Sequence, residues 1–160
     1  LKMKNPTKEI MNRLIEKIYI TKDKTLEILD KLRGEIVLVK GNHDKISPKI
    51  SKKLSKKFPK NEYLEINDDG AKVILCHYPM PFWNGQFRGS VHLFGHVHNS
   101  HQHNYCLNIC KELRELQDIP MMMVNVGCMM EWMDYTPRTL EYIFTHSNDN
   151  KIEGVEKHES

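Results

Sequence analysis

The sequence predicts a single α/β domain. Three observations carry that expectation: short apolar runs rich in β-branched side chains, stretches of helical apolar periodicity between them, and a histidine or asparagine cluster closing three of the runs. The runs are 36–39 (Ile36, Val37, Leu38, Val39), 73–75 (Val73, Ile74, Leu75) and 91–94 (Val91, His92, Leu93, Phe94). Each is too short for a buried helix and reads as a buried parallel strand.

Taken in order, residues 7–18 place Ile10, Met11, Leu14, Ile15 and Ile18 at the spacing of an amphipathic helix. A second helix over 25–32 ends near Gly34, a suitable residue just past a helix end. The strand 35–40 then delivers the loop Gly41-Asn42-His43-Asp44. Ser47-Pro48 opens a third helix, with serine capping and proline in the first turn. Its apolar residues Ile46, Ile50, Leu54 and Phe58 step by four, and Lys49, Lys52, Lys53, Lys56, Lys57 and Lys60 occupy an adjoining face. That face reads first as a solvated surface and second as a means of steering a phosphate-bearing substrate.

Residues 63–67 and 72–76 form a hairpin around Asp68-Asp69-Gly70, and its second strand delivers Cys76-His77-Tyr78-Pro79. The loop 79–89, rich in proline, glycine and aromatic residues, reads as a pocket wall. The strand 91–94 delivers Gly95-His96-Val97-His98. Cys106, Ile109, Cys110, Leu113 and Leu116 recur at helical intervals, which assigns both cysteines to a core face rather than to a zinc site with His101 and His103. Residues 121–126 and 139–144 read as two further strands. The domain spans 1–146, and 147–160 is a polar tail without periodicity.

Ligands of open α/β sheets gather outside the carboxyl ends of the strands. Three such loops would bring Asn42, His77, His96 and His98 together across the sequence. Neutral imidazoles with an amide oxygen suit Mn, Fe, Zn or Ni. In a loop, the rings of His96 and His98 can diverge toward two adjacent ions, as a dinuclear hydrolytic centre needs.

These blocks, in this order, resemble the calcineurin-like metallophosphoesterases: Gly41-Asn42-His43-Asp44, the lone His77, then Gly95-His96-Val97-His98. Asn125-Val126-Gly127-Cys128 and Tyr135-Thr136-Pro137-Arg138 further resemble a small bacterial and phage branch of that family, so the likeness covers roughly 5–144. The resemblance implies an αββα sandwich of two mixed sheets flanked by helices, and a centre holding two divalent metal ions. It implies that Asn42, His77 and His96 bind one ion while His98 binds the other. His43 is then the catalytic proton donor or transition-state stabiliser, and Asp44 orients His43 or its loop. Arg88 is a candidate substrate contact to phosphate, with an ordinary surface arginine as the other reading.

The family's first two blocks have no counterpart: neither Asp-x-His nor Gly-Asp occurs before Gly41. The segment 17–20 reads as the strand that should lead into Gly-Asp, and a deletion after Ile20 with a truncation before Leu1 would account for both absences. The sandwich is accordingly expected to be incomplete at its amino-terminal part. Asp23 is a poor substitute for the bridging aspartate, because 24–32 looks helical.

The expected function is hydrolysis of a phosphomonoester or phosphodiester through a metal-bound hydroxide. The alternative is a non-catalytic metal-binding or interaction protein on a degenerate scaffold of the same kind. Composition adds bounds. With 160 residues, 39% hydrophobic and 28% charged, the chain suits one soluble domain. Its net charge of +3 permits an anionic partner, a nucleotide or nucleic acid included, without requiring one. No run approaches the ~18 apolar residues of a membrane span. No signal-like segment is present and the four cysteines lack secreted spacing, so no membrane partner and a cytoplasmic location with reduced thiols are expected.

Overall fold

The computed structural model describes residues 22–55, 62–117 and 121–149. The expected helix over 7–18 and strand over 17–20 lie outside them. Helix α1 (Lys22–Lys31) begins three residues before the expected start. It buries Leu29, carries a Glu27–Lys31 pair, and gives way to Gly34 at φ 88°.

Four strands form one mixed sheet in the order β1-β2-β3-β4. The hairpin of β1 (Tyr63–Asp68) and β2 (Ala71–Cys76) is antiparallel, with Asp68 opposite Ala71. Its two-residue turn needs positive φ at both central positions, and Asp69 (49°) and Gly70 (88°) supply it. The Asn67 side chain accepts the Gly70 N–H at 3.0 Å and locks that turn. Strand β3 (Val91–Phe94) lies parallel to β2, and β4 (Met122–Asn125) parallel to β3. Three chain exits, after Cys76, Phe94 and Asn125, therefore lie at one rim.

Alternation along the strands splits the core in two. One face carries Val73, Leu75, Val91, Leu93 and Val124 under Trp132, Met133 and Ile143; the other carries Ile74, Phe94 and Met123 with Trp83, Cys110 and Met121. Helix α3 (His101–Gln117) brings Cys110 to the second face, and α4 (Leu140–His146) brings Ile143 to the first. Fully burying a side chain such as Ile74 contributes about 1.5–3 kcal/mol, so the central strands anchor the rim.

Several expectations are corrected. Residues 139–144 are not a strand: Thr139 is extended and its hydroxyl accepts the Tyr142 N–H, capping α4. Leu140, Ile143 and Phe144, spaced i, i+3, i+4, then pack on the sheet. Residues 36–39 form no ladder with the other described residues; Val39 is a single bridge position, and the Ile36 carbonyl accepts the Ser55 N–H at 2.7 Å. Val37 and Val39 nonetheless pack against the first face.

Helix α2 (Pro48–Ser51) is a single turn capped by Ser47 and does not continue through 52–55; Lys56, Lys57, Phe58 and Lys60 of the expected helix lie outside the described residues. Leu116, expected in a core face, is 73% exposed near the end of α3. The polar tail does not start at 147, since Ser147 and the Asp149 carboxylate are both buried. No helix among the described residues is long and apolar enough to cross a membrane.

Candidate metal centre

Side chains from the loops after β2 and β3 meet one from the 41–44 loop. His77, directly after β2, places Nε2 2.8 Å from Asn42 Oδ1 and 3.1 Å from His96 Nδ1. A ring nitrogen offers one proton or one lone pair in one direction, so His77 Nε2 cannot satisfy both neighbours with linear bonds. Donor atoms on an octahedral divalent ion with bonds of about 2.1 Å stand about 3.0 Å apart along each edge. The two observed separations match two edges of such a shell.

Each member is positioned by local structure. The loop before His43 closes on itself, because Asp44 Oδ2 accepts the Gly41 N–H at 2.8 Å and the Gly41 carbonyl accepts the Asp44 N–H at 3.2 Å. Gly41 lies flat under the His77 ring. A Cβ there would meet ring atoms at 3.0 Å, a separation tighter than ordinary contact, so a side chain at this position would displace the imidazole. The His77 carbonyl accepts the Gly95 N–H at 3.1 Å, tying the second loop to the third.

The third loop is bent by two left-handed residues, His96 (φ 62°) and His98 (φ 52°), a conformation uncommon outside glycine. It turns the His96 ring onto His77, with centroids 4.9 Å apart at 66°. Tyr78, 42% exposed, stands edge-on to both rings at 4.9 and 4.5 Å.

Burial holds the His77 imidazole below its ordinary basicity. The His96 ring adds to that effect, the Asp44 carboxylate opposes it, and the His43 and His98 rings reinforce it. A neutral imidazole is the form a metal requires.

The candidate residues divide accordingly. Asn42 and His96 both contact His77 Nε2. His43, Asp44 and His98 lie close enough to bias the charge of His77, and His43 and His98 are exposed. Arg88 is exposed at the end of a 3-10 turn, Gln86–Arg88, and no described contact joins it to the trio. Among the described residues, no group of three His, Cys, Asp or Glu side chains gathers as a metal site; the trio comprises two imidazoles and an amide.

Two other histidines take structural partners. His92, inside β3, gives Nδ1–H to the Ile74 carbonyl and accepts the Met80 N–H on Nε2. His103 pairs with Asp149 at 3.1 Å, and Cys110 packs with its sulfur toward the Met121 carbonyl. Sequence reasoning passed over Asn125 and Asp149, although an amide at the end of a strand leading to the rim was a usable signal for the first.

No protein-family model matches the chain. The chain is 35% identical over 129 residues to an uncharacterized protein of Methanocaldococcus jannaschii, covering 81% of this chain and 59% of that protein. It therefore spans well under two thirds of that relative's length. The crystal structure of a protein of unknown function from Aquifex aeolicus matches with a TM-score of 0.50 and 25% identity, over 78% of this chain and 67% of the other. The chain is thus a mixed α/β protein, with helices packed on a four-stranded sheet whose arrangement resembles that of a solved structure.

Proposed function

We propose that the chain is a metal-dependent phosphoesterase of the calcineurin-like metallophosphoesterase family, its described sheet being one layer of that family's two-sheet sandwich. The substrate is a phosphomonoester or phosphodiester. The observation that supports this most is that Asn42 Oδ1 and His96 Nδ1 both stand against His77 Nε2, at 2.8 and 3.1 Å: a single ring proton serves one of them well, whereas a cation serves all three atoms.

In this reading Asn42, His77 and His96 hold one divalent ion, Mn, Fe, Zn or Ni, and His98 is the ligand available to a second. A bound cation supplies Lewis acidity toward a phosphoryl oxygen. The rest is the work of the chain. Asp44 keeps the 41–44 loop closed through the Gly41 N–H. His43, exposed in that loop, protonates the leaving oxygen. Arg88 is the candidate contact for a distal phosphate oxygen.

A second reading is favoured by one specific observation: the contacts at His77 join two imidazoles and an amide, and among the described residues no carboxylate gathers with them as a metal site. The scaffold then binds one ion and does not hydrolyse. Metal content by mass spectrometry, together with turnover of an aryl phosphate in Mn²⁺ or Ni²⁺, separates the two. Two ions per chain, with turnover lost in His77→Ala and His43→Ala, supports the phosphoesterase; one ion or none, without turnover, overturns it.

A further inference from the structure

Strand β4 ends on Asn125, a completely buried residue whose polar groups all have partners. Its backbone carbonyl accepts the Trp132 Nε1–H at 3.0 Å, and its side-chain oxygen accepts the Gly127 N–H at 2.9 Å. Its side-chain amide donates to the His98 carbonyl at 2.9 Å. Its backbone N–H donates to Asp149 Oδ2 at 2.8 Å.

Asp149, from the segment after α4, has a carboxylate only 2% exposed. It also receives His103 Nε2, from the first turn of α3, at 3.1 Å. Carboxylates are rarely buried unless paired and hydrogen-bonded. Here the pairing links α3, the segment after α4, the end of β4 and the His98 carbonyl in one chain of contacts.

That chain reaches the strained part of the rim. His96 and His98 both have positive φ, and such conformations persist in non-glycine residues only where the surroundings over-determine them. The Val97 carbonyl is held by the Ser100 hydroxyl, the Gly95 carbonyl by the Val97 N–H, and the His98 carbonyl by Asn125. The Asn125 bond comes from outside the turn and its helix and holds its far end, as the His77 carbonyl holds the Gly95 N–H at its near end.

We propose that Asn125 and Asp149 are positioning residues, braced by His103, that hold the Gly95–His98 turn in its left-handed form and so aim His96 at His77. The inference rests on the metal reading for its consequence, cation affinity, but its structural content is separable from that reading.

The test compares the full chain with Asp149→Asn, in which one charged acceptor is replaced by a neutral amide, and with His103→Phe, which removes the brace and leaves Asp149 in place. Two readouts are taken: amide hydrogen exchange of a peptide covering 95–100 in the absence of metal, and Co²⁺ affinity with its visible absorption spectrum. Asp149→Asn should speed exchange at 95–100 about tenfold while the 63–76 hairpin stays within twofold. It should also weaken Co²⁺ about tenfold with an altered spectrum; His103→Phe should move both readouts in the same direction by less. Unchanged exchange at 95–100 in both variants overturns the proposal, as does an equal rise over the hairpin, which marks general loosening. A wild-type chain that binds no Co²⁺ while the exchange contrast persists supports the positioning role and removes the metal reading.

Discussion

His77 and His92 are both buried and both held below ordinary imidazole basicity by burial, yet they occupy opposite kinds of surroundings. His92 sits between Trp83 and Phe94 with each nitrogen given a complementary backbone partner, which fixes its tautomer. His77 Nε2 faces an amide oxygen and another imidazole nitrogen. The difference separates a histidine whose two nitrogens are both satisfied by backbone from one whose Nε2 is shared between two side chains, the position the proposed metal reading requires. Burial alone does not make the distinction; what stands opposite the nitrogen does.

The sharpest way to break this comparison is at His92. His92→Ala leaves a cavity and two unpaired backbone groups, and should lower unfolding free energy by about 4 kcal/mol in urea titration. The pH dependence follows from the same burial. The native ring takes a proton only near pH 4, whereas the unfolded ring does so near 6.5. Between those values the unfolded state binds more protons, so the contribution is complete above pH 6.5 and is lost as pH falls toward 4. That loss amounts to about 3 kcal/mol. In His92→Phe the slope should flatten to the smaller part contributed by groups such as His77; an unchanged slope would remove His92 as its source.

His77→Ala tests the other side. It should weaken Mn²⁺ or Ni²⁺ binding by about 100-fold or more, since loss of a supporting group alone typically costs 10–100-fold. Expressed as free energy, that is at least about 2.7 kcal/mol. Calorimetric titration with the metal measures it. Equal affinity in the variant would show that His77 is another packed histidine, and the contrast with His92 would vanish.

Much of this contrast was legible in the sequence, for identifiable reasons. The hairpin could be read because Asp69-Gly70 is a turn that fixes register locally. The meeting of Asn42, His77 and His96 could be anticipated because each follows an apolar run, and the parallel strands β2 and β3 bring two of those ends to one rim. The pairing of Asp149 with residues 24 and 46 positions away had no local signature, so 147–149 read as tail. Residues 36–39 have strand composition, but the Ile36 carbonyl is taken by Ser55, 19 residues on. Residues 139–144 were misread because aromatic and β-branched content outweighed a cap that was present in the sequence all along.

Gly41 gives a finer test, because it displaces the His77 ring without removing it: a Cβ there would meet Cε1 and Nδ1 at 3.0 Å and Nε2 at 3.3 Å. Gly41→Ala places a methyl group 3.0 Å from the ring and should shift it by a few tenths of an ångström. Metal affinity should fall about tenfold, equivalent to about 1.4 kcal/mol. Unfolding free energy should change by less than that, because a shift of a few tenths of an ångström upsets ligand geometry more than packing. A fall in stability without a fall in affinity would mean that Gly41 serves the fold and not the ligand.

The smallest effect belongs to Thr139. Its hydroxyl accepts the Tyr142 N–H at 3.2 Å, and the backbone preceding α4 is extended, as an N-cap requires. Thr139→Val keeps the shape and the β-branching but removes the acceptor, so it should cost about 1 kcal/mol in urea unfolding and nothing in metal affinity. The substitution also raises β propensity at the position where composition alone favours a strand. Retention of the α4 helical signal would mean that the Leu140, Ile143 and Phe144 stripe on the sheet, rather than the cap, decides helix over strand. Its loss would mean that a single hydroxyl does.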